Sequence, residues 1–215
     1  MGRALRIDVG DIVYHVINRG NFHSVLFEDA RAYDDFMDIV REALLVAPMR
    51  ILAYCLMPNH WHMVLYPKHD GDLSGFMQWI TLTHTQRYHA KTETVGYGHI
   101  YQGRYKSFPV QDDRYFFNLV RYVERNAKRA ALVEKAEDWK WSSAHSRIYS
   151  GKSEGKLLSA WPTEEPSGYI DWLNEPQPEE EIEGIRHALR KGMPYGSEQW
   201  VLDAINRFCV KKIGV

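Results

Sequence analysis

Two apolar runs, Arg50–Met57 and His60–Tyr66, are separated only by Pro58-Asn59. Both have the composition of strands. Parallel strands need a crossover of a dozen or more residues, so a gap this short makes the two runs antiparallel neighbours in one sheet. Pro58 has no amide hydrogen to give to a ladder, and it marks the break between them. Side chains alternate faces along a strand. His60 and His62 therefore point one way and Trp61 the other. Two adjacent imidazoles can hold a metal ion or an anion, or they can be two polar residues on a solvated face. Trp61 behind them is expected to be buried and to fix the strand.

The rest of the chain supplies partners for this hairpin. Residues 11–17 read as a strand and Asn18-Arg19-Gly20-Asn21 as a turn. Asp29 is placed to cap a helix running to Val46, with Tyr33, Phe36, Met37, Val40 and Leu44 at helical spacing. A second long helix is expected over 73–91, a strand over 105–110 and a helix from Asp113 to about Lys128. The order strand, helix, strand, strand, helix, strand predicts an α+β fold. Its core is a ferredoxin-like antiparallel sheet with helices on one face and the other face free for a ligand. Residues 1–150 are expected to hold the chemistry. Residues 151–178, rich in Pro, Gly and acidic side chains, read as a linker. Glu179–Lys191 and residues 197–211 read as helices of a C-terminal extension. That extension is expected to recognise a duplex stem or to pack over the active-site groove.

Composition narrows the function. In a chain of 215 residues no stretch approaches the ~20 apolar residues of a membrane span, and the start leads into no apolar signal-peptide core. Cys55 and Cys209 read as buried thiols rather than a disulfide, which fits a reducing cytoplasm. The net charge of −1 hides an asymmetry. Residues 84–133 carry nine Lys/Arg against four Asp/Glu, while the segments on either side are net acidic. This basic stretch is interleaved with Tyr88, Tyr97, Tyr101, Tyr105 and Tyr115, a composition suited to phosphates and bases or to a solvated helix face. Arg104, Lys106 and Arg125 are candidates for phosphate contacts. Tyr101 and Tyr105 are candidates for base stacking or for the core.

In the helix after the last strand, Tyr122 and Asn126 are four residues apart and share a face. A tyrosine hydroxyl can attack a phosphodiester, and an amide can complete a metal site with His60 and His62. Met57-Pro58-Asn59-His60-Trp61-His62 resembles the His-hydrophobe-His (HUH) signature of single-tyrosine transposases. Arg121-Tyr122-Val123-Glu124-Arg125-Asn126 resembles that family's tyrosine helix. Further stretches resemble the REP-associated tyrosine transposases: Tyr14-His15-Val16, Arg19-Gly20-Asn21, Phe27-Glu28-Asp29, 101–107 and Trp139-Lys140-Trp141-Ser142-Ser143. The likeness spans about residues 11–145. It departs after Asn126, where Ala127 and Ala131 replace the family's Pro and Gly.

The resemblance implies cleavage and rejoining of single-stranded or hairpin DNA. Tyr122 would be the nucleophile, and His60, His62 and Asn126 the metal ligands. Phosphoryl chemistry makes Mg or Mn the expected ion. The protein would act as a monomer or a homodimer. The rival readings are a non-cleaving DNA- or RNA-hairpin binder and a metal-dependent phosphodiesterase that uses water.

Overall fold

The computed structural model describes residues 7–149 and 157–210, the last two by backbone alone. Strands β1 (Val13–Arg19), β2 (Arg50–Met57), β3 (His60–Tyr66) and β4 (Lys106–Val110) form one antiparallel sheet in the order β2-β3-β1-β4. Helix α1 (Ala30–Val46) joins β1 to β2, and α2 (Asp72–Thr92) joins β3 to β4. This is the expected ferredoxin-like arrangement. β1 runs to Arg19, later than the sequence predicts, and pairs Ile17 with His62 and Arg19 with His60. Asp29 caps α1 by accepting a hydrogen bond from the Ala32 amide at 2.8 Å.

The two faces of the sheet carry different cores. Trp61, Met63 and Leu65 pack with Tyr14 and Val16 beneath α1 and α2. Trp61 is fully buried; its Nε1–H donates to the Tyr101 hydroxyl at 3.2 Å and its ring lies 5.9 Å from Phe36. Trp61→Ala is expected to destabilise the protein by roughly 3–5 kcal/mol, the usual cost of emptying so large a buried site. A denaturation curve unmoved by that change would contradict this packing.

The opposite face was expected to stand free, and it does not. Helices α3 (Arg114–Glu124) and α4 (Asn126–Arg129) pack on it, where one helix to Lys128 was predicted. The break falls at Arg125, whose ψ is 0°. At the exit Ala131 adopts φ +55°, the left-handed conformation that the family's glycine would take without strain.

The chain then adds α5 (Ser143–Tyr149), α6 (Tyr169–Asn174), α7 (Glu179–Lys191) and α8 (Glu198–Val210). Glu124, at the end of α3, is fully buried. It accepts hydrogen bonds from Ser143 Oγ at 2.5 Å and Tyr169 Oη at 2.7 Å, and it faces Arg147 Nε at 3.3 Å. One carboxylate thus ties α3, α5 and α6 together.

Residues 151–156 of the expected linker, and its start near 150, lie outside the described residues. The remainder is packed rather than loose. Leu158 bridges Ile51 at the outer edge of β2, and Trp161 Nε1–H donates to the Leu52 carbonyl at 2.9 Å. At the other edge Tyr195 bridges Val110, with backbone hydrogen bonds of 2.9 Å on either side. Both sheet edges are therefore covered by the C-terminal extension. Leu173, Ile185 and Tyr195 share one core with Phe116, Leu119 and Val123 of α3. Among the described residues no helix is long and apolar enough to cross a membrane. Cys55 is a buried free thiol, and the side chain of Cys209 lies outside the described residues.

Candidate active site

Strand alternation puts His60 and His62 on the face covered by α3, with ring centroids 5.1 Å apart. Each ring is held from behind. His60 Nδ1 lies 2.6 Å from the Asn59 side-chain oxygen, an acceptor, so Nδ1 carries the proton and Nε2 keeps its lone pair. His62 Nδ1 lies 2.8 Å from Nε2 of His15, on the neighbouring strand. When His62 donates this bond, its Nε2 is likewise left as a ligand. This is the arrangement by which ligating histidines are normally oriented. Burial lowers the His60 pKa to about 4, helped by the positive charges of Arg19 and Arg129. Burial also pushes His62 well below its ordinary value and His15 down to about 3. All three imidazoles are neutral near pH 7, the form that binds metals.

Helix α3 delivers Tyr122 to this pair. Its ring meets His62 edge-on at 5.9 Å and His15 at 6.3 Å. The Arg129 guanidinium lies 4.1 Å from the centre of the same ring, and its Nη1 donates to the Tyr122 carbonyl at 3.3 Å. The break at Arg125 thus comes with a replacement donor for that carbonyl. Tyr115, a heptad earlier, stands away from the histidines. Its hydroxyl accepts from Arg114 at 3.1 Å and its ring packs on Tyr195.

Asn126 opens α4 and is 6% exposed, and its side-chain Nδ2 is buried with no hydrogen-bond partner. The two ends of an amide are interchangeable by a flip, so this position can equally present the oxygen. An unsatisfied buried amide, with two neutral imidazoles whose Nε2 atoms are uncommitted, is a donor set that fits a divalent ion. Among the described residues no cluster of three His, Cys, Asp or Glu offers a competing metal site.

Beside the histidines runs a groove of about 410 Å³ lined by Ile17, Arg19, Gln102, Arg104, Lys106 and Arg190. Lys106 pairs with Ile17, which pairs with His62. The basic groove therefore begins in the same cross-strand row as the candidate ligand. Arg104 and Lys106 are exposed, and among the described residues no ion pair engages them or Arg19.

Three expectations are corrected. Arg125 is buried, and its guanidinium donates to the carbonyls of Leu173 (2.6 Å) and Glu175, so it is spent on the C-terminal extension. Tyr101 is 6% exposed and bonded to both Trp61 and His84 Nδ1, the latter at 2.6 Å; it is a core residue. Tyr105 is equally buried in the same core. Neither ring is free to stack on a base.

Three residues of the site carry no sequence signal of their own. His15 appears in the sequence only within Tyr14-His15-Val16, although its strand register would have placed it behind His62. Arg129 lies three residues past Asn126, and Arg19 falls in the turn that the sequence predicts.

Comparison with known proteins agrees with this geometry. The family described as "Transposase IS200 like" matches residues 8–126. A protein of Haemophilus influenzae named as a REP-associated tyrosine transposase is 21% identical over 140 residues, which cover 59% of this chain and 80% of that one. A REP-associated tyrosine transposase solved bound to a REP hairpin has the same fold. It superposes with a TM-score of 0.59 at 19% identity, covering 77% of this chain and 99% of that one. With the family matched over more than half its length, the chain belongs to the IS200-like transposases, and within them it is similar to the REP-associated tyrosine transposases.

Proposed function

We propose that this protein cleaves and rejoins single-stranded or hairpin DNA through Tyr122, with a divalent ion, Mg or Mn, held by His60, His62 and Asn126. The observation that carries this reading is the Tyr122 ring edge-on to His62, beside His60, at the head of a basic groove. The likeness to a transposase solved with a REP hairpin supports hairpin DNA as the ligand. When bound, the ion would polarise and orient the scissile phosphate.

The chain's own residues divide the remaining work. Arg104 and Lys106, with Arg19 beside them, hold phosphates along the groove. Asn59 and His15 fix the tautomers of the two histidines. Arg129 keeps the Tyr122 ring in place and supplies positive charge next to the phosphate. The Tyr122 oxygen loses its proton to solvent and forms a bond to phosphorus. The phosphate–oxygen bond to the departing strand breaks, and that oxygen leaves as a free hydroxyl after taking up a proton. Reversal by a strand hydroxyl restores the phosphodiester and the tyrosine, so no external energy source is needed.

The test is incubation with end-labelled hairpin DNA in Mg or Mn. A covalent protein–DNA adduct is expected from the wild type, and none in chelator or from His60→Ala or His62→Ala. Cleavage without an adduct would instead assign a water nucleophile. Binding without cleavage would reduce the protein to a hairpin binder. Wild-type cleavage by both histidine variants in chelator would make the pair structural.

A further inference from the structure

Just after β1 the chain makes a short turn, Asn21–His23, whose conformation its sequence does not favour. Phe22 has φ +49° and His23 φ +60°. Two consecutive non-glycine residues in the left-handed region are rare, and such a conformation persists only where the surroundings over-determine it. Here they do. The Gly20 amide donates to the Asn59 carbonyl at 2.8 Å, the Asn21 amide to the Ile100 carbonyl at 2.8 Å, and the Ser24 amide back to Asn21 at 2.8 Å. Asn59 Nδ2 reaches the His23 carbonyl at 3.4 Å. Gly20 itself is obligatory, because a Cβ there would lie 2.3 Å from the Ser24 carbonyl oxygen.

The product of this bracing is an aromatic ring held in water. Phe22 is 91% exposed, the most exposed large apolar side chain among those described. Burying it would have been the ordinary outcome for a phenylalanine. Its position is informative. Asn59, which anchors the turn, is the residue whose side-chain oxygen orients His60. Arg19, immediately before Gly20, lines the basic groove, and its carbonyl accepts from the Gln102 amide at 2.9 Å. A solvent-facing ring therefore stands on a braced backbone three residues from Arg19 of the cationic groove, and its turn is tied to a metal-ligand candidate by one side chain.

Cations that track a backbone beside an aromatic face on which a base can lie are the usual parts of a single-strand binding site. The pair of tyrosines expected from the sequence to fill that role is buried, which leaves the groove without another stacking face from that set. We infer that Phe22 is the stacking platform for an unpaired nucleobase of the bound DNA, next to the hairpin stem and close to the scissile phosphate. This inference rests on the reading of the protein as a hairpin-DNA enzyme. A ring needs no hydrogen-bond code to accept a base, so Phe22 would set where an unpaired base sits rather than which base it is.

The experiment uses the full chain and a DNA hairpin carrying a short single-stranded flank, with 2-aminopurine placed at one flank position at a time. Wild type is expected to quench the probe at one position. Phe22→Ala should abolish that quenching and weaken binding of the flanked hairpin by about 5- to 150-fold, the usual range for one base stacked on an aromatic ring. Phe22→Trp should restore both signals. The blunt hairpin, which has no unpaired flank, should bind wild type and Phe22→Ala alike. Because the ring is exposed, the Phe22→Ala melting temperature should match wild type. Equal binding of the flanked hairpin by wild type and Phe22→Ala, or an equal loss on the blunt hairpin, overturns the platform while leaving the DNA reading intact. Failure of wild type to bind either hairpin overturns the DNA reading, and the platform with it.

Discussion

Tyr122→Phe is expected to abolish the covalent adduct and to lower strand cleavage by on the order of 10⁴-fold or more, because the variant lacks the attacking atom. Hairpin affinity should change by less than about twofold, since phosphate contacts in the groove supply most of it. The fold should be nearly indifferent. The ring keeps its contacts with His62, His15 and the Arg129 guanidinium, and no hydrogen bond of the Tyr122 hydroxyl occurs among the described residues. The separation of the two effects is the diagnostic feature. A residue that only shaped the groove would lose binding and cleavage together. Tyr115→Phe is the matched control: it removes a hydroxyl that meets Arg114, two turns away from the histidines. Full cleavage by Tyr122→Phe would sink the assignment, and loss confined to Tyr115→Phe would transfer the role to that tyrosine.

What the sequence revealed and what it hid follow from the range of the interactions involved. The β2–β3 hairpin and the His60/His62 face were legible because strand alternation and a two-residue connection are local rules. Tyr122 and Asn126 were legible as a helical pair, although the helix breaks between them at Arg125. His15 was hidden because its role depends on register across strands: it meets His62 only when Ile17 pairs with that residue. Tyr101 and Tyr105 stayed open between base and core because composition cannot distinguish a tyrosine that stacks on a base from one buried in the core, as Tyr101 is with its hydroxyl on Trp61 and His84. Arg125 failed for a related reason. Its partners are backbone carbonyls near residues 173–175, and no side-chain pattern announces a carbonyl. The segment after 156 read as a linker because single aromatics such as Trp161 anchor it, and isolated anchors have no period.

The buried imidazoles also set how the protein responds to acid. His15 is held down to about 3, and His60 and His84 to about 4, in each case mainly by burial; His62 is displaced in the same direction. An unfolded histidine binds its proton near pH 6.5, so below that value the unfolded chain takes up protons that the folded protein refuses. Stability therefore rises with pH through this window and is lost as pH falls from about 6.5 toward the folded values. Each group contributes roughly 1.4 kcal/mol per pH unit, so the three with values near 3 and 4 should together remove roughly 4 kcal/mol by pH 5.5. That is a large share of the roughly 5–15 kcal/mol that holds an ordinary domain together. Glu42 and Glu183, kept low by arginine partners, act with the same sign, but only below about 4.5. A fall in stability above pH 5 therefore reports the histidines. Denaturant unfolding in chelator at pH 7.5, 6.5 and 5.5 is expected to show an accelerating loss, with unfolding at pH 5.5 taking up roughly three to four protons once His62 is counted with the other three. His84, on the buried side of α2 and bonded to Tyr101, lies apart from the proposed chemistry, so His84→Gln isolates its share. That variant should flatten the pH dependence by about one proton whatever its stability at pH 7.5. A stability that is level from pH 7.5 to 5.5 would show that these imidazoles take up protons in the folded protein, and would contradict the buried, neutral state on which the proposed metal binding by His60 and His62 depends.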